Sequence, residues 1–168
     1  MKNPIADSLN RKVVKIAGFM FLFAFIVPTL NWAFLLSKFN VVDNALATAN
    51  NILGNEFLFR VGITIELFMS VGLIILGWSL YIILKPINKH LAQLALLLKL
   101  VEASIMAITV LIPFIILQVL NGDANLSAFT QEQLQLPIGL IFNSHEAITS
   151  IPMIFLGLDM IIFSWLFY

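Results

Sequence analysis

Long apolar runs alternate with short polar segments along this chain, and four runs are long enough to be membrane-spanning helices. They cover residues 13–36, 57–84, 91–120 and 140–168. The hydrocarbon core of a bilayer is about 30 Å thick, and a helix needs about 20 apolar residues to cross it. The pattern therefore predicts an all-α protein, a polytopic membrane helical bundle that forms one integral membrane domain over residues 1–168.

Two shorter segments are too short to cross a bilayer and are predicted to be amphipathic surface helices. Over residues 43–53, apolar side chains recur at the three- and four-residue spacing of a one-sided helix. We expect this helix to lie on the membrane surface or over the mouth of the bundle, with Asp43 capping its start. A capping-box pattern beginning at Thr130 predicts a second short helix over 131–136, which Pro137 interrupts.

The first apolar run follows a charged amino-terminal segment, which is also how a secretory signal peptide begins. Its apolar stretch is longer than the roughly 7–15 residues of a signal peptide, and the small residues at 45–47 that resemble a cleavage site lie well past its end. We therefore interpret residues 13–36 as an uncleaved first span.

Composition agrees with a membrane protein. The chain is 61% hydrophobic and 11% charged, whereas about 25% of the residues in soluble domains are charged. The formal net charge is zero and there is no basic patch, so nothing indicates nucleic-acid binding; membrane lipids are the expected surroundings. Cysteine is absent, which excludes thiol catalysis, thiolate metal sites and disulfides.

Lysine and arginine are unevenly distributed between the predicted loops. The amino-terminal segment and the loop at 85–89 contain six of the nine basic residues, whereas the two opposite loops contain one, Lys38. Basic residues are retained on the cytoplasmic side of a membrane. Both termini are therefore predicted to be cytoplasmic.

Several ionisable residues interrupt the apolar runs, on the same helix faces as the small residues. A charge at the bilayer centre costs roughly 2.5–3.5 kcal/mol, so each of these groups must be paired, neutralised or hydrated. We expect the four polar faces to converge on one interior. The predicted intramembrane polar cluster comprises Arg60, Glu66, Lys99, Glu102, His145, Glu146 and Asp159.

Lys99 has two candidate partners in this cluster. Glu102 lies three residues later on the same helix face, and Asp159 lies at a similar depth in the fourth span. A Lys99–Glu102 pair fits a structural role better than a catalytic one. Because carboxylates outnumber cations, at least one of Glu66, Glu146 and Asp159 is predicted to be uncharged at neutral pH.

The other charged positions leave further alternatives open. Arg60 lies near the start of the second span, where it can pair with Glu56 one turn earlier or with a carboxylate of the fourth span. Glu66 and His145 both lie in the outer half of their spans, and we expect them to be in contact. Such a pair is compatible with a structural contact, with a proton relay or with cation binding.

No motif identifies a catalytic centre, a cofactor or a metal site. The chain has two histidines and no cysteine, it lacks phosphate-loop, dinucleotide and serine-hydrolase patterns, and we detect no inverted repeat typical of transporters. We therefore predict no catalytic residues, no cofactor-binding residues and no metal ligands, and the sequence gives no support for an enzymatic activity.

Three functional hypotheses remain. The first is a non-catalytic accessory or assembly protein that acts through helix–helix contacts, either as a homo-oligomer or with a membrane-protein partner. The second is a proton- or cation-coupled transport or permeation unit that uses Glu66, Lys99, Glu102 and His145. The third is an intramembrane enzyme or a lipid-binding protein.

Short motifs distributed along the whole chain resemble those of one bacterial multi-pass membrane family, known as domain of unknown function 4386. They are KIAG at 15–18, ATANNI at 47–52, FRVG at 59–62, KPINK at 85–89 and KLVEA at 99–103, followed by His145. The resemblance implies a location in the inner (plasma) membrane of a bacterium, and it implies no established activity. It does imply that Arg60, Glu66, the Lys99–Glu102 pair and His145 occupy polar positions that recur in the family.

Two departures from the family pattern change what is expected here. Family members continue beyond the fourth span through a basic loop into about two further spans, so this chain resembles a truncated version of a six-span protein. Asp159 falls in a run that is Gly-rich and apolar in the family. It is therefore either a feature of this lineage or a substitute partner for Lys99.

Overall fold

The computed structural model describes residues 4–41, 44–121 and 131–168; the side chains at 4–10, 45–46, 131–132 and 134–147 are outside the description. The described part of the chain is helical and contains no strand. In chain order its elements are α1 (Pro4–Phe34), a short 3-10 helix (Leu36–Lys38), α2 (Ala45–Gly54), α3 (Glu56–Leu84), α4 (Lys89–Thr109), α5 (Leu111–Leu120) and α6 (Gln131–Phe167).

Within the described residues, four helical segments are long and apolar enough to cross a membrane, which confirms the predicted number of spans. They are Arg11–Lys38, Glu56–Leu84, Lys89–Leu120 and Ile148–Phe167. The third span contains two helices, α4 and α5, separated at Val110. The interruption lies one turn before Pro113, because proline has no N–H group to donate to the carbonyl of Thr109.

Two helix boundaries differ from the sequence-based expectation. The side chain of Asn44 caps α2 by accepting a hydrogen bond from a first-turn amide at 2.9 Å; Asp43 and Thr130, the predicted caps, lie outside the described residues. The separate helix predicted over 131–136 is wrong, because α6 continues through Pro137 without a break. Helices in membranes tolerate proline because local adjustments and neighbouring groups satisfy the freed carbonyl.

Three of the four spans, α3, α4 and α6, contact one another, and the first span packs on the outside of this group. α1 packs against α3, α3 against α4, and α4 against α6. The first span is the most exposed, with 11% of its most apolar window buried. The expectation that all four polar faces meet in one interior is wrong for α1, which packs mainly on α3. The small-residue face of α1, which includes Ala17 and Asn31, packs on α3.

Among the described residues, two apolar cores hold the spans together, one near each end of the bundle. At the α2 end, the fully buried Ile52 packs with Phe59 of α3 and Leu117 of α5. The short helix α2 therefore lies over the mouth of the bundle, one of its two predicted positions. At the opposite end, which we call the hairpin end because residues 85–88 join α3 to α4 there, Leu84 packs with small residues of α4 and with the end of α6.

Candidate functional site

Three charged side chains meet between α4 and α6, and we call Lys99, Glu102 and Asp159 the lysine cluster. The Nζ atom of Lys99 lies 2.7 Å from Glu102 Oε2 and 3.0 Å from Asp159 Oδ2. The three-residue spacing within α4 brings Glu102 to Lys99, whereas packing of α6 on α4 brings Asp159. Both candidate partners of Lys99 are thus in contact with it.

The lysine cluster is buried deep in the bundle. Lys99 and Asp159 have no exposed surface, and Glu102 is 4% exposed. The rise from the start of α4 at Lys89 to Lys99 is about 15 Å, which is half the thickness of a bilayer core of about 30 Å. Water is therefore replaced by protein groups around these charges.

Gly77 of α3 closes the third side of the lysine cluster. A Cβ atom at Gly77 would lie 2.7 Å from Lys99 Cγ and 3.1 Å from Lys99 Cβ. Because glycine has no side chain, α3 can approach α4 closely, and the aliphatic stem of Lys99 fills the space. The cluster is thereby enclosed by α3, α4 and α6.

The lysine cluster has one more carboxyl group than it has cations. Lys99 donates a hydrogen bond to Glu102 Oε2. Neither oxygen of Asp159 has a hydrogen-bond partner among the described residues, although Oδ2 is within ion-pair distance of Lys99. Buried ions are stabilised only when both charge and hydrogen bonding are satisfied. Asp159 therefore retains the capacity to bind a proton or to accept a further hydrogen bond.

A second ion pair lies at the α2 end, and we call Glu56, Arg60 and Asn121 the arginine cluster. Arg60 Nε donates to Glu56 Oε1 at 2.7 Å, and Asn121 Nδ2 donates to the same oxygen at 3.0 Å. Of the two alternatives for Arg60, the structure contains the pair with Glu56. Along α3, Arg60 is about 25 Å from Gly77, so the structure does not bring Arg60 to the lysine cluster.

Glu66 lies on α3 between the two clusters, at a rise of about 16 Å from Gly77. It is half-buried, and its carboxyl group has no ion-pair or hydrogen-bond partner among the described residues. The side chains of His145 and Glu146 lie outside the described residues, so the expected contact of Glu66 with His145 stays a prediction. Of the predicted cluster, the structure brings Lys99, Glu102 and Asp159 together. It places Arg60 and Glu66 farther along α3.

Two polar contacts were missed by reasoning from the sequence. Asn31 of α1 is buried and donates from Nδ2 to the carbonyl of Gly62 at 3.1 Å, which fastens α1 to α3. Asn121, at the end of α5, joins that helix to Glu56 of α3. Helical spacing could place Asn31 and Gly62 on the small-residue faces of their spans, but it could not pair them.

The outward faces of the bundle are apolar, as in a protein surrounded by lipid. Phe25, Phe57 and Trp165 are 71%, 76% and 76% exposed, whereas the intramembrane ion pairs of Lys99 are hidden. These features define a multi-pass α-helical membrane protein. Among the described residues, no group of three or more His, Cys, Asp or Glu side chains is arranged to hold a metal ion.

The family model described as domain of unknown function (DUF4386) matches residues 16–168. Because the match covers most of the chain, the protein belongs to this family, and the resemblance read from its motifs is confirmed. Searches of curated proteins and of solved structures found no match.

Proposed function

We propose that this protein is a non-catalytic component of a bacterial inner membrane that acts through helix–helix contacts, with a second copy of itself or with a membrane-protein partner. The supporting observation is the difference between the two faces of α6. One face is buried on α4 through Asp159 and Phe163. The opposite face is exposed and carries Ser150, Gly157 and Ser164.

The seven-residue spacing of these small residues places them on one line along α6, with Ile154 and Ile161 between them. Small residues allow two helices to approach closely within lipid, and a seven-residue repeat keeps two helices in contact along a left-handed pair. A Cβ atom at Gly157 would meet nothing within 4 Å, so this face has room for the side chains of another helix.

A matched pair of glycine substitutions tests this proposal. Gly18 of α1 is also exposed with nothing within 4 Å, so Gly18→Leu adds the same bulk to a different lipid-facing helix. We expect native mass spectrometry in mild detergent to show an oligomer of the wild type that persists in Gly18→Leu and is lost in Gly157→Leu. A wild type that is monomeric at all concentrations counts against self-association, and equal behaviour of the two variants counts against α6.

The proposed orientation, with the amino terminus in the cytoplasm, rests on the distribution of basic residues. The chain has no cysteine, so single cysteines can be introduced without background labelling. Ile87 is 65% exposed at the hairpin end and Asn50 is exposed at the α2 end. We expect an impermeant thiol reagent applied to intact spheroplasts to label Asn50→Cys and not Ile87→Cys; the reverse pattern would invert the topology.

A second candidate function, proton- or cation-coupled transport, is favoured by one observation. The lysine cluster contains two carboxyl groups for one lysine, and the oxygens of Asp159 lack hydrogen-bond partners among the described residues. Intramembrane carboxyl groups of this kind occur in proton relays. In proteoliposomes, a proton or cation flux that disappears in Glu66→Gln or Glu102→Gln would support this candidate, and a flux unchanged in both variants would remove it.

A further inference from the structure

The arginine cluster orients a guanidinium group at the edge of a small cavity. Glu56 Oε1 accepts hydrogen bonds from Arg60 Nε and from Asn121 Nδ2 and is in ion-pair contact with Arg60 Nη2. One carboxylate oxygen therefore fixes the arginine side chain relative to both α3 and the end of α5.

The cavity beside Arg60 has a volume of about 190 Å³. Its lining combines hydrogen-bonding groups on Arg60, Gln118 and Asn121 with the apolar side chains of Phe114 and Leu117. Only one edge of the guanidinium is used by Glu56. Arginine carries further N–H groups in a planar fork, and among the described residues these have no partner.

The position of the cavity in the membrane indicates what it binds. Arg60 lies one turn into α3, about 6 Å from the start of the helix at Glu56, where a span passes from hydrocarbon into the layer of lipid headgroups. The planar fork of arginine matches phosphate oxygens in a bidentate way. Phe114 is 46% exposed beside it and offers an apolar surface for the upper part of an acyl chain.

We propose that this cavity is a binding site for the phosphate of a phospholipid headgroup, with Arg60 as the bidentate donor and the amide groups of Gln118 and Asn121 as further donors. The arginine cluster has no net charge, because Glu56 balances Arg60. A zwitterionic headgroup, which carries a phosphate and an ammonium group, therefore matches the site better than a headgroup with surplus negative charge.

The test uses the full chain, freed of lipid in a mild detergent and titrated with lipid under native mass spectrometry. Three probes separate the sources of binding: a phosphoethanolamine lipid, a diacylglycerol with the same acyl chains, and inorganic phosphate. We expect the first to bind in a defined one-to-one complex and the other two to bind at least about tenfold more weakly, because each lacks one half of the recognised group. Equal binding of diacylglycerol, or displacement of the lipid by inorganic phosphate at similar concentration, would overturn the lipid assignment.

Variants locate the binding in the cavity. Arg60→Lys keeps the charge but loses the fork, and we expect about tenfold weaker binding of the phosphoethanolamine lipid. Lys38→Gln is the matched control, because Lys38 is an exposed basic residue at the end of the first span that does not line the cavity. Gln118→Ala alters the lining without touching the ion pair, so it serves if Arg60 variants fold poorly. Wild-type affinity in both Arg60→Lys and Gln118→Ala would disprove the site.

Discussion

The lysine cluster and the arginine cluster contain the same kind of contact in opposite environments. Each joins a basic side chain to a carboxylate within one turn of its own helix, and each adds a polar side chain from elsewhere in the chain. The side chains of Lys99 and Glu102 are 0% and 5% exposed, whereas those of Arg60 and Glu56 are 51% and 33% exposed.

Because the two clusters differ in burial, breaking their ion pairs has different effects on stability, although the geometry of the pairs is similar. At the lysine cluster no water replaces a lost cation, so removing Lys99 leaves two buried carboxylates uncompensated. At the arginine cluster, water or a ligand can satisfy each group, so breaking the pair costs little stability. The first cluster therefore acts mainly on the fold, and the second is available for recognition.

The largest effect is expected from Lys99→Met, which keeps the length of the side chain and removes its charge. Glu102 and Asp159 would then face each other in the bundle without a cation. We expect the free energy of unfolding to fall by about 3–5 kcal/mol, measured by unfolding in mixed detergent micelles. Leu97→Met, at an exposed position of the same helix, is the control. A decrease in the free energy of unfolding of less than about 1 kcal/mol, which is typical of a surface ion pair, would show that the two clusters do not differ in this way.

Gly77→Ala is expected to have the next largest effect, because the new methyl group collides with the stem of Lys99 while its ammonium group is held by two carboxylates. Overpacking of this kind costs about 1–3 kcal/mol. Gly18→Ala places the same methyl group in open space and should not destabilise the protein. The prediction fails if the two alanine variants unfold at the same detergent concentration.

Asp159→Asn should cost less than Lys99→Met, about 1 kcal/mol or less, because Lys99 and Glu102 remain as a balanced pair. It should also reduce the penalty of Lys99→Met when the two are combined, since one buried carboxylate is then removed with the lysine. The double-mutant cycle measures this coupling. Additive effects of the two substitutions would show that Asp159 and Lys99 do not interact.

Arg60→Met should produce the smallest change in stability of the four, and that change should shrink further as salt is added, because the pair is exposed and screened. The measurement belongs in lipid-free detergent, where bound lipid cannot contribute. An unfolding midpoint displaced as far as that of Lys99→Met would mean that burial does not distinguish the clusters.

Contacts within one helix were accessible from the sequence. The α-helical repeat brings residues three or four apart to one face, so the amino-acid order alone is enough to expect the pairing of Lys99 with Glu102 and of Arg60 with Glu56. The four spans were also identified from the sequence, because the length and apolarity of a run are enough to predict a membrane-spanning helix. The sequence did not identify the continuation of α6 through Pro137, since a proline weakens a helix locally without deciding whether the surrounding helix survives.

Contacts between helices were not accessible in the same way. Asp159 was one of two candidates for Lys99 until the packing of α6 on α4 placed both carboxylates beside it. The pairs formed by Asn31 with Gly62 and by Asn121 with Glu56 depend on which spans are neighbours. Periodicity shows which face of each helix is small and polar, but it does not show which other helix packs on that face. The packing of the helices therefore decides that the charges form two separate clusters. The amino-acid sequence alone determines which charged residues are present and which of them pair within one helix.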